Sequence, residues 1–302
     1  TGAGISSQIA RLFHINQSDR MLLLACACAA ALAAIFKVPL AGILFAIEVF
    51  GLDLTLSSLL PLFVASLSGV LTSYIFFGNA ALLPIYVGDS FLMHNIPFYL
   101  LLGVVGGFMS AYFTFVYEGV NRFFSKFSSA YLRIVIGGAI LGLLVFVMPP
   151  LYGEGHEVIN HLKAGHPELS ISSNIFGWNL ENPWVVILLL GGLVLFKVVA
   201  TSVTFGAGGV GGIFSPMLFM GGVMGNCFAR IINQIDILPY KLPLANFTLI
   251  GMTALMTGVL HAPLTAIFLI AEVTGGYSLF VPAMVTAVVS FSIAKYFNKY
   301  SI

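Results

Sequence analysis

The chain has 302 residues, of which 59% are hydrophobic and only 8% are charged, and its mean hydropathy is +1.05. A soluble domain of this length does not tolerate so apolar a surface, so the composition excludes the soluble classes and indicates an integral membrane protein in a lipid bilayer. The formal net charge of +1 offers no basic patch, and we therefore expect no nucleic-acid partner.

Apolar stretches separated by small polar clusters follow one another along the whole chain. Their lengths favour about nine or ten helical pieces over the shorter strands of a membrane barrel. Several are too short or too rich in glycine to cross the hydrocarbon alone, and irregular backbone at that depth must be buried in protein or line a cavity. We therefore expect broken and tilted helices. The stretches cover 20–35, 36–50, 54–77, 97–117, 131–148, 184–204, 212–232, 246–272 and 278–294.

One unusual segment occurs twice. FKVPLAGILFAIEVFG at 36–51 and LHAPLTAIFLIAEVTG at 260–275 align without gaps, and each places a proline near its start and a glutamate in its apolar interior. A second pair, GAGISSQIARLF at 2–13 and GGVMGNCFARII at 221–232, follows in the same order. Shared proline, glutamate and glycine at fixed offsets are not what apolar low complexity produces, so we interpret the chain as two homologous halves. The first pair shares Pro39/Pro263, Leu40/Leu264, Ile43/Ile267, Glu48/Glu272, Val49/Val273 and Gly51/Gly275.

The repeat spacing divides the chain. It predicts that 1–80 is the C-terminal part of the first half, 81–96 a linker and 97–302 the complete second half. By this arithmetic roughly 100 or more residues of the first half are expected upstream of Thr1, so the sequence is interpreted as N-terminally truncated. Duplicated helices build many transporters, often as inverted repeats around a midplane site formed by broken helices.

The clearest break lies between Lys197 and Gly225, in KVVATSVTFGAGGVGGIFSPMLFMGGVMG. Five glycines within 206–212 end any helix there. Pro216 suits the first turn of a new helix, because its missing N–H would be unpaired in any case. The pattern predicts a helix that begins near Phe214, with free backbone N–H groups and a positive dipole end suited to an anion. No arginine or lysine adjoins this point in the sequence, so a monovalent anion would not be trapped.

Two other interpretations of the glycines are weaker. Gly206, Gly208 and Gly211 satisfy G-x-G-x-x-G, but the dinucleotide motif also needs a soluble βαβ unit and an acidic residue about 20 positions later, and neither is present. Close helix packing by small residues explains glycine but not the proline that follows.

These residues together resemble the CLC family of chloride channels and proton-coupled chloride transporters. GGIFSP at 211–216 is similar to the anion-binding motif of that family, and 251–277 and 36–50 resemble its paired helices. The resemblance implies an all-α membrane domain with two inverted-topology halves. It also implies chloride transport of the voltage-gated-chloride-channel type, with chloride as the bound substrate, no other cofactor, and homodimers with one pore per subunit.

The resemblance also implies site residues. Chloride is expected at the backbone N–H groups of Ile213 and Phe214, with Gly212 and Ser215 beside them, and at the hydroxyl of Tyr277. From the residues alone, Tyr277 is better interpreted as an interfacial aromatic after a glycine turn. The gating-glutamate and serine motifs of the family are expected upstream of Thr1.

Residues 48 and 49 bear on proton coupling. At the position of Val49 many proton-coupled members carry a glutamate that takes protons from the cytoplasm, whereas channel members commonly carry valine. Valine holds no proton, which favours a channel but leaves an exchanger, with protons as a second partner, open. Glu48 is interpreted as a carboxylate that could line an inner aqueous path, and Glu272 as structural, since such charges inside a membrane need a partner or water.

Two functions of other classes stay open at this point. An intramembrane hydrolase would need a base for Ser215, and His261 is the candidate. A membrane scaffold without transport is the other. We expect no metal site, because no histidine or carboxylate lies at ligand spacing from the three cysteines, and His156, His161 and His166 do not share one helical face.

Overall fold

The described part of the chain is almost wholly helical. A computed structural model describes residues 2–78, 91–164, 182–236 and 238–298. The predicted linker falls mainly on 81–90, which lie outside the described residues, and Met93–Asn95 forms a 3-10 turn. The helices are α1 (Gly2–Leu12), α2 (Gln17–Phe36), α3 (Pro39–Phe50), α4 (Leu56–Phe77), α5 (Ile96–Ser125), α6 (Ala130–Val147), α7 (His156–Lys163), α8 (Pro183–Gly206), α9 (Phe214–Ile235), α10 (Leu244–Leu260), α11 (Pro263–Val273) and α12 (Phe280–Phe297).

Six helices of the described residues are long and apolar enough to cross a membrane, namely α2, α4, α5, α6, α8 and α12. Three others, α3, α10 and α11, are apolar but shorter. Large apolar side chains cover the outside of α6, where Tyr131 is 85% exposed and Phe146 is 69% exposed. An apolar surface of this kind faces lipid or a partner protein, and together with the six helices of spanning length it marks a multi-pass integral membrane protein.

Two apolar stretches of the sequence are each broken by a left-handed residue followed by proline. Lys37 ends α2 with φ 59°, and α3 begins two residues later at Pro39. His261 ends α10 with φ 56°, and α11 begins at Pro263. The predicted stretch 246–272 is thus two helices, because proline cannot continue the first but fits the start of the second.

The two breaks occupy equivalent positions of the repeat. The spacing of 224 that separates Pro39 from Pro263 also separates Lys37 from His261, and Phe36 from Leu260, the last residues of α2 and α10. The same spacing relates the first residues of α4 and α12, which begin at 56 and 280. The repeat is therefore a repeat of backbone conformation, while the division at 80 and 97 stays a prediction.

Helix packing follows the same correspondence. A Cβ atom on Gly2 would lie 2.8 Å from the carbonyl oxygen of Ala27, and one on Gly221 would lie 2.5 Å from that of Gly251. Ala27 and Gly251 are also 224 residues apart. In each half a glycine thus brings one helix onto the backbone of the next, α1 onto α2 and α9 onto α10.

The core of the second half surrounds α10. Every residue from Asn246 to Val259 is buried, as are the residues of α9 from Met217 to Asn226. The Tyr99 ring of α5 stacks on Phe247 at 4.5 Å between centroids. The first turn of α9 is therefore held in place by the buried residues that follow it in the same helix.

Candidate functional site: an open helix terminus

The predicted helix break is present at the predicted position. α8 ends at Gly206, and α9 begins at Phe214 after a non-helical segment that includes Gly208, whose φ of 97° favours glycine. Ile213 is the cap residue of α9, and Met217 donates the first helical hydrogen bond to its carbonyl at 3.1 Å. Phe214 and Ser215 thus occupy the first two positions, where N–H groups have no partner within the helix.

The backbone donors at this end point to no acceptor in the part of the protein that the structure describes. None of the N–H groups of residues 211–215 donates to another residue that the structure describes. Pro216 occupies the third position and has no N–H. Gly212, Ile213, Phe214 and Ser215, all predicted anion ligands, are therefore consecutive and carry four donors that are open to a ligand.

A cavity of about 640 Å³ adjoins this terminus. Gly211, Gly212, Ser215 and Pro216 form one wall of the cavity. Residues of α6, α8 and the segment before α7 form the other walls. The cavity has room for an anion with part of its hydration shell, since one water occupies about 30 Å³ of liquid.

The cavity also holds a lysine whose position the sequence does not predict. Lys197 of α8 is 97% buried, and its Nζ donates to the carbonyls of Leu151 at 3.0 Å and Gly153 at 2.7 Å. The same ammonium lies 4.8 Å from the centroid of the Phe219 ring. No cation is therefore close to the start of α9 along the sequence, but in space α8 brings Lys197 to the adjoining cavity.

Ser215 has a histidine neighbour, but a different one from the candidate. Its Oγ lies 3.2 Å from Nε2 of His156, whereas His261 packs against the ring of Phe291. The same Nε2 lies 2.8 Å from Oε2 of Glu154. A hydrolytic triad needs both ring nitrogens, one for the serine and one for the carboxylate, so this arrangement does not form a proton relay of that kind.

The backbone before α7 explains how His156 reaches Ser215. Gly155 has φ 80°, and a Cβ atom there would overlap the ring of Phe219 in α9. Glycine therefore lets the start of α7 lie directly on α9. No sequence signal pointed to this contact, because 59 residues separate Ser215 from His156.

Three phenylalanines meet where the two halves join at this terminus. The ring of Phe214 lies 5.4 Å from that of Phe36 at the end of α2, and 5.9 Å from that of Phe45 in α3. Aromatic pairs at these distances attract by edge-to-face and tilted contacts. The first residue of α9 is thereby held against the first half of the chain.

Each of the two repeated glutamates binds the first turn of the helix that carries the other glutamate. The carboxylate of Glu272 accepts from the N–H groups of Leu40 at 3.0 Å and Ala41 at 2.7 Å, in the first turn of α3. The carboxylate of Glu48 accepts from the N–H groups of Leu264 at 2.9 Å and Thr265 at 2.8 Å, in the first turn of α11.

Glu48 has one further partner. The hydroxyl of Thr265 donates to its Oε2 at 2.6 Å, while Ala41 at the equivalent position has no such group.

Each helix begins where the other one ends, so α3 and α11 are antiparallel, as an inverted repeat requires. We call this arrangement, formed by Glu48, Glu272 and the first turns of α3 and α11, the glutamate exchange.

Tyr277 and Val49 lie away from these contacts. Tyr277 follows the turn at Gly275, is 66% exposed, and rests its ring against Phe280 at 5.5 Å. Val49 is 46% exposed on α3. The role of Tyr277 as an anion ligand and the role of Val49 on a proton path both stay predictions, and these positions add no support to either.

No metal centre is formed by the described residues, which contain no group of three or more histidine, cysteine, aspartate or glutamate side chains able to hold an ion. The three cysteines are all free thiols.

Comparison with known proteins gives one family match and several structural ones. Residues 1–295 match the family described as "Voltage gated chloride channel". A slow cyanobacterial Cl⁻/H⁺ antiporter superposes with a TM-score of 0.78 at 22% identity, over 98% of this chain and 66% of that one. A CLC-type fluoride/proton antiporter gives 0.77 at 21% identity, over 100% and 69%. A eukaryotic CLC transporter gives 0.69 at 18% identity, over 99% and 50%. The chain thus spans between half and about two thirds of these solved chains, and the likeness shows their fold.

Proposed function

Because the chain belongs to the voltage gated chloride channel family, we propose that it contributes the anion-binding part of a chloride pathway across the membrane. Chloride would rest on the open terminus of α9, at the N–H groups of Gly212, Ile213, Phe214 and Ser215. The observation that carries this proposal is the absence of an acceptor for these donors among the described residues, beside a cavity.

The glutamate exchange supports the proposal from within the same molecule. α3 and α11 also begin inside apolar sequence, and each takes a carboxylate onto two N–H groups at 2.7–3.0 Å. An anion is therefore a suitable partner for a helix start in this protein. Of these three helices only α9 has no carboxylate at its start among the described residues, which leaves that place to an anion that can leave.

A weak, neutral site suits conduction. Backbone N–H groups stabilise chloride without a permanent ion pair, so the ion can bind and be released. Lys197 adds positive potential to the cavity, but its ammonium is already engaged by two carbonyls. The carboxylate of Glu154 lines the same cavity and offsets this charge, and neither side chain forms the anion site itself.

Between passive and proton-coupled transport, Val49 favours a passive path. Its side chain holds no proton, and the neighbouring Glu48 already binds the start of α11. The test is reconstitution of the chain in liposomes with measurement of chloride efflux and of reversal potentials in a pH gradient. A passive path gives a reversal potential that ignores the proton gradient, and a shift with that gradient would establish exchange. Absence of chloride efflux and of chloride binding would contradict the proposal as a whole.

The family resemblance further supports a homodimer with one pathway per subunit. Native mass spectrometry in detergent tests this, with a mass of two chains as the expected result.

A further inference from the structure

The hydroxyl of Ser215 is placed to serve the same site as the backbone donors. Ser215 is the second residue of α9 and lines the cavity at the helix start. Its Oγ lies 3.2 Å from Nε2 of His156, which itself lies 2.8 Å from Oε2 of Glu154. The direction in which the Ser215 hydroxyl donates its proton depends on whether Nε2 of His156 carries a proton.

The partners of His156 decide this. An ionised carboxylate only accepts hydrogen bonds, so a nitrogen at 2.8 Å from Glu154 must carry a proton. The other nitrogen, Nδ1, is buried and faces no partner among the described residues. A proton on Nδ1 alone would bury an unpaired donor and set the lone pair of Nε2 against the carboxylate, and both are costly. Nε2 is therefore a donor.

A donor at Nε2 leaves the serine proton free. Ser215 cannot donate to a nitrogen that already carries a proton, so its oxygen faces that N–H and its own O–H turns elsewhere. Among the described residues no further hydrogen-bond partner of the Ser215 hydroxyl is found, and Ser215 lines the cavity together with Gly211 and Gly212. The hydroxyl thus becomes a neutral donor beside the open N–H groups of the same turn.

We propose that Glu154 and His156 are positioning residues that hold the Ser215 hydroxyl as a side-chain donor to the anion at the start of α9. This inference rests on the proposed chloride site. It adds the Ser215 hydroxyl as a further ligand of that site, and Glu154 and His156 orient the hydroxyl. Its effect runs through hydrogen bonding and not through added charge, because a hydroxyl is neutral.

The experiment measures chloride affinity by calorimetry on the purified full chain. Ser215→Ala removes the donor, and we expect chloride binding to weaken roughly threefold to tenfold, which is the range that one neutral hydrogen bond supports. Ser215→Thr and Ser215→Val form a second pair of the same shape, and only the threonine variant should keep the affinity. Ser292→Ala on α12 is the matched control, since that exposed hydroxyl donates only to Val288 of its own helix.

Two variants of His156 test the positioning role. His156→Phe keeps a ring of similar size against Phe36 but removes the donor, and we expect a loss close to that of Ser215→Ala. His156→Gln restores an N–H donor and should recover most of the affinity. The double variant Ser215→Ala with His156→Phe should bind no more weakly than Ser215→Ala alone, because both act through one hydrogen bond.

The outcomes separate this inference from the function on which it rests. Unchanged affinity in Ser215→Ala and Ser215→Val, with normal binding by the wild type, overturns the serine donor. Losses that add in the double variant overturn the positioning role of His156. A wild type that binds no chloride refutes the proposed function itself, and the inference with it.

Discussion

The helices α3, α9 and α11 begin inside apolar sequence, and they differ in what occupies their first turn. α3 and α11 each hold a glutamate from the other half of the repeat. α9 holds no protein acceptor among the described residues, and opens on a cavity. The comparison teaches that helix starts in this molecule attract anionic groups. A helix start that binds a glutamate side chain stabilises the fold, whereas a helix start without one is available for an anionic ligand.

The largest effect is expected from emptying an occupied terminus. Glu48→Ala leaves the two N–H groups and the hydroxyl of its partners without an acceptor, and should cost about 2–4 kcal/mol of stability, since hydrogen bonds to charged groups are the stronger ones. Thermal unfolding in detergent measures it. Glu272→Ala removes two hydrogen bonds instead of three and should cost less. Glu118→Ala, whose partner Arg122 is 77% exposed, is the control and should change stability by less than about 0.5 kcal/mol. Equal unfolding of the Glu48 and Glu118 variants would contradict a stabilising role for the exchange.

The second effect concerns the packing that fixes α9 in place. A Cβ atom on Gly251 would lie 2.8 Å from Cα of Gly225 and closer still to the carbonyl oxygen of Gly221. Gly251→Ala should therefore cost about 1–3 kcal/mol by overpacking, although the equivalent residue in the first half is Ala27. Gly142→Ala, where an added Cβ meets nothing within 4 Å, is the matched control in the same thermal assay. If both variants unfold together, the close approach of α9 and α10 is not needed.

The third effect comes from filling the open terminus. An added Cβ on Gly212 meets nothing within 4 Å, so Gly212→Asp places a carboxylate beside the free N–H groups as the glutamates do elsewhere. Because it competes with and repels chloride, affinity should fall about tenfold or more, or about 1.4 kcal/mol. Gly212→Asn has the same shape without the charge and should retain binding. Equal affinity of the two variants in chloride titrations would show that the terminus is not the site.

The smallest effect is expected from Tyr277→Phe. A hydroxyl on a side chain that is 66% exposed loses little by exchange with water, so chloride affinity should change by less than about 0.5 kcal/mol. A tenfold loss in the same titration would instead support the anion role predicted for this tyrosine.

The sequence predicted local features well. Glycine density followed by Pro216 placed the start of α9, and the shared proline and glutamate revealed the repeat, because both signals are carried by neighbouring residues. It did not predict the partners. Glu48 was interpreted as a carboxylate of an inner path, whereas the structure brings it to Leu264 and Thr265, and that path stays a prediction. His156 beside Ser215 was likewise missed, since contacts between residues 59 or 216 positions apart depend on the tertiary fold.

The glutamate exchange also sets an order of events during biosynthesis. Leu40 emerges from the ribosome 232 residues before Glu272, the residue that will accept its N–H. Until α11 has entered the bilayer, the N–H groups at the start of α3 lack this acceptor. Joining of the halves is therefore a late step of assembly, and a nascent chain stalled before Glu272 would keep the first half loosely held and open to quality-control proteases.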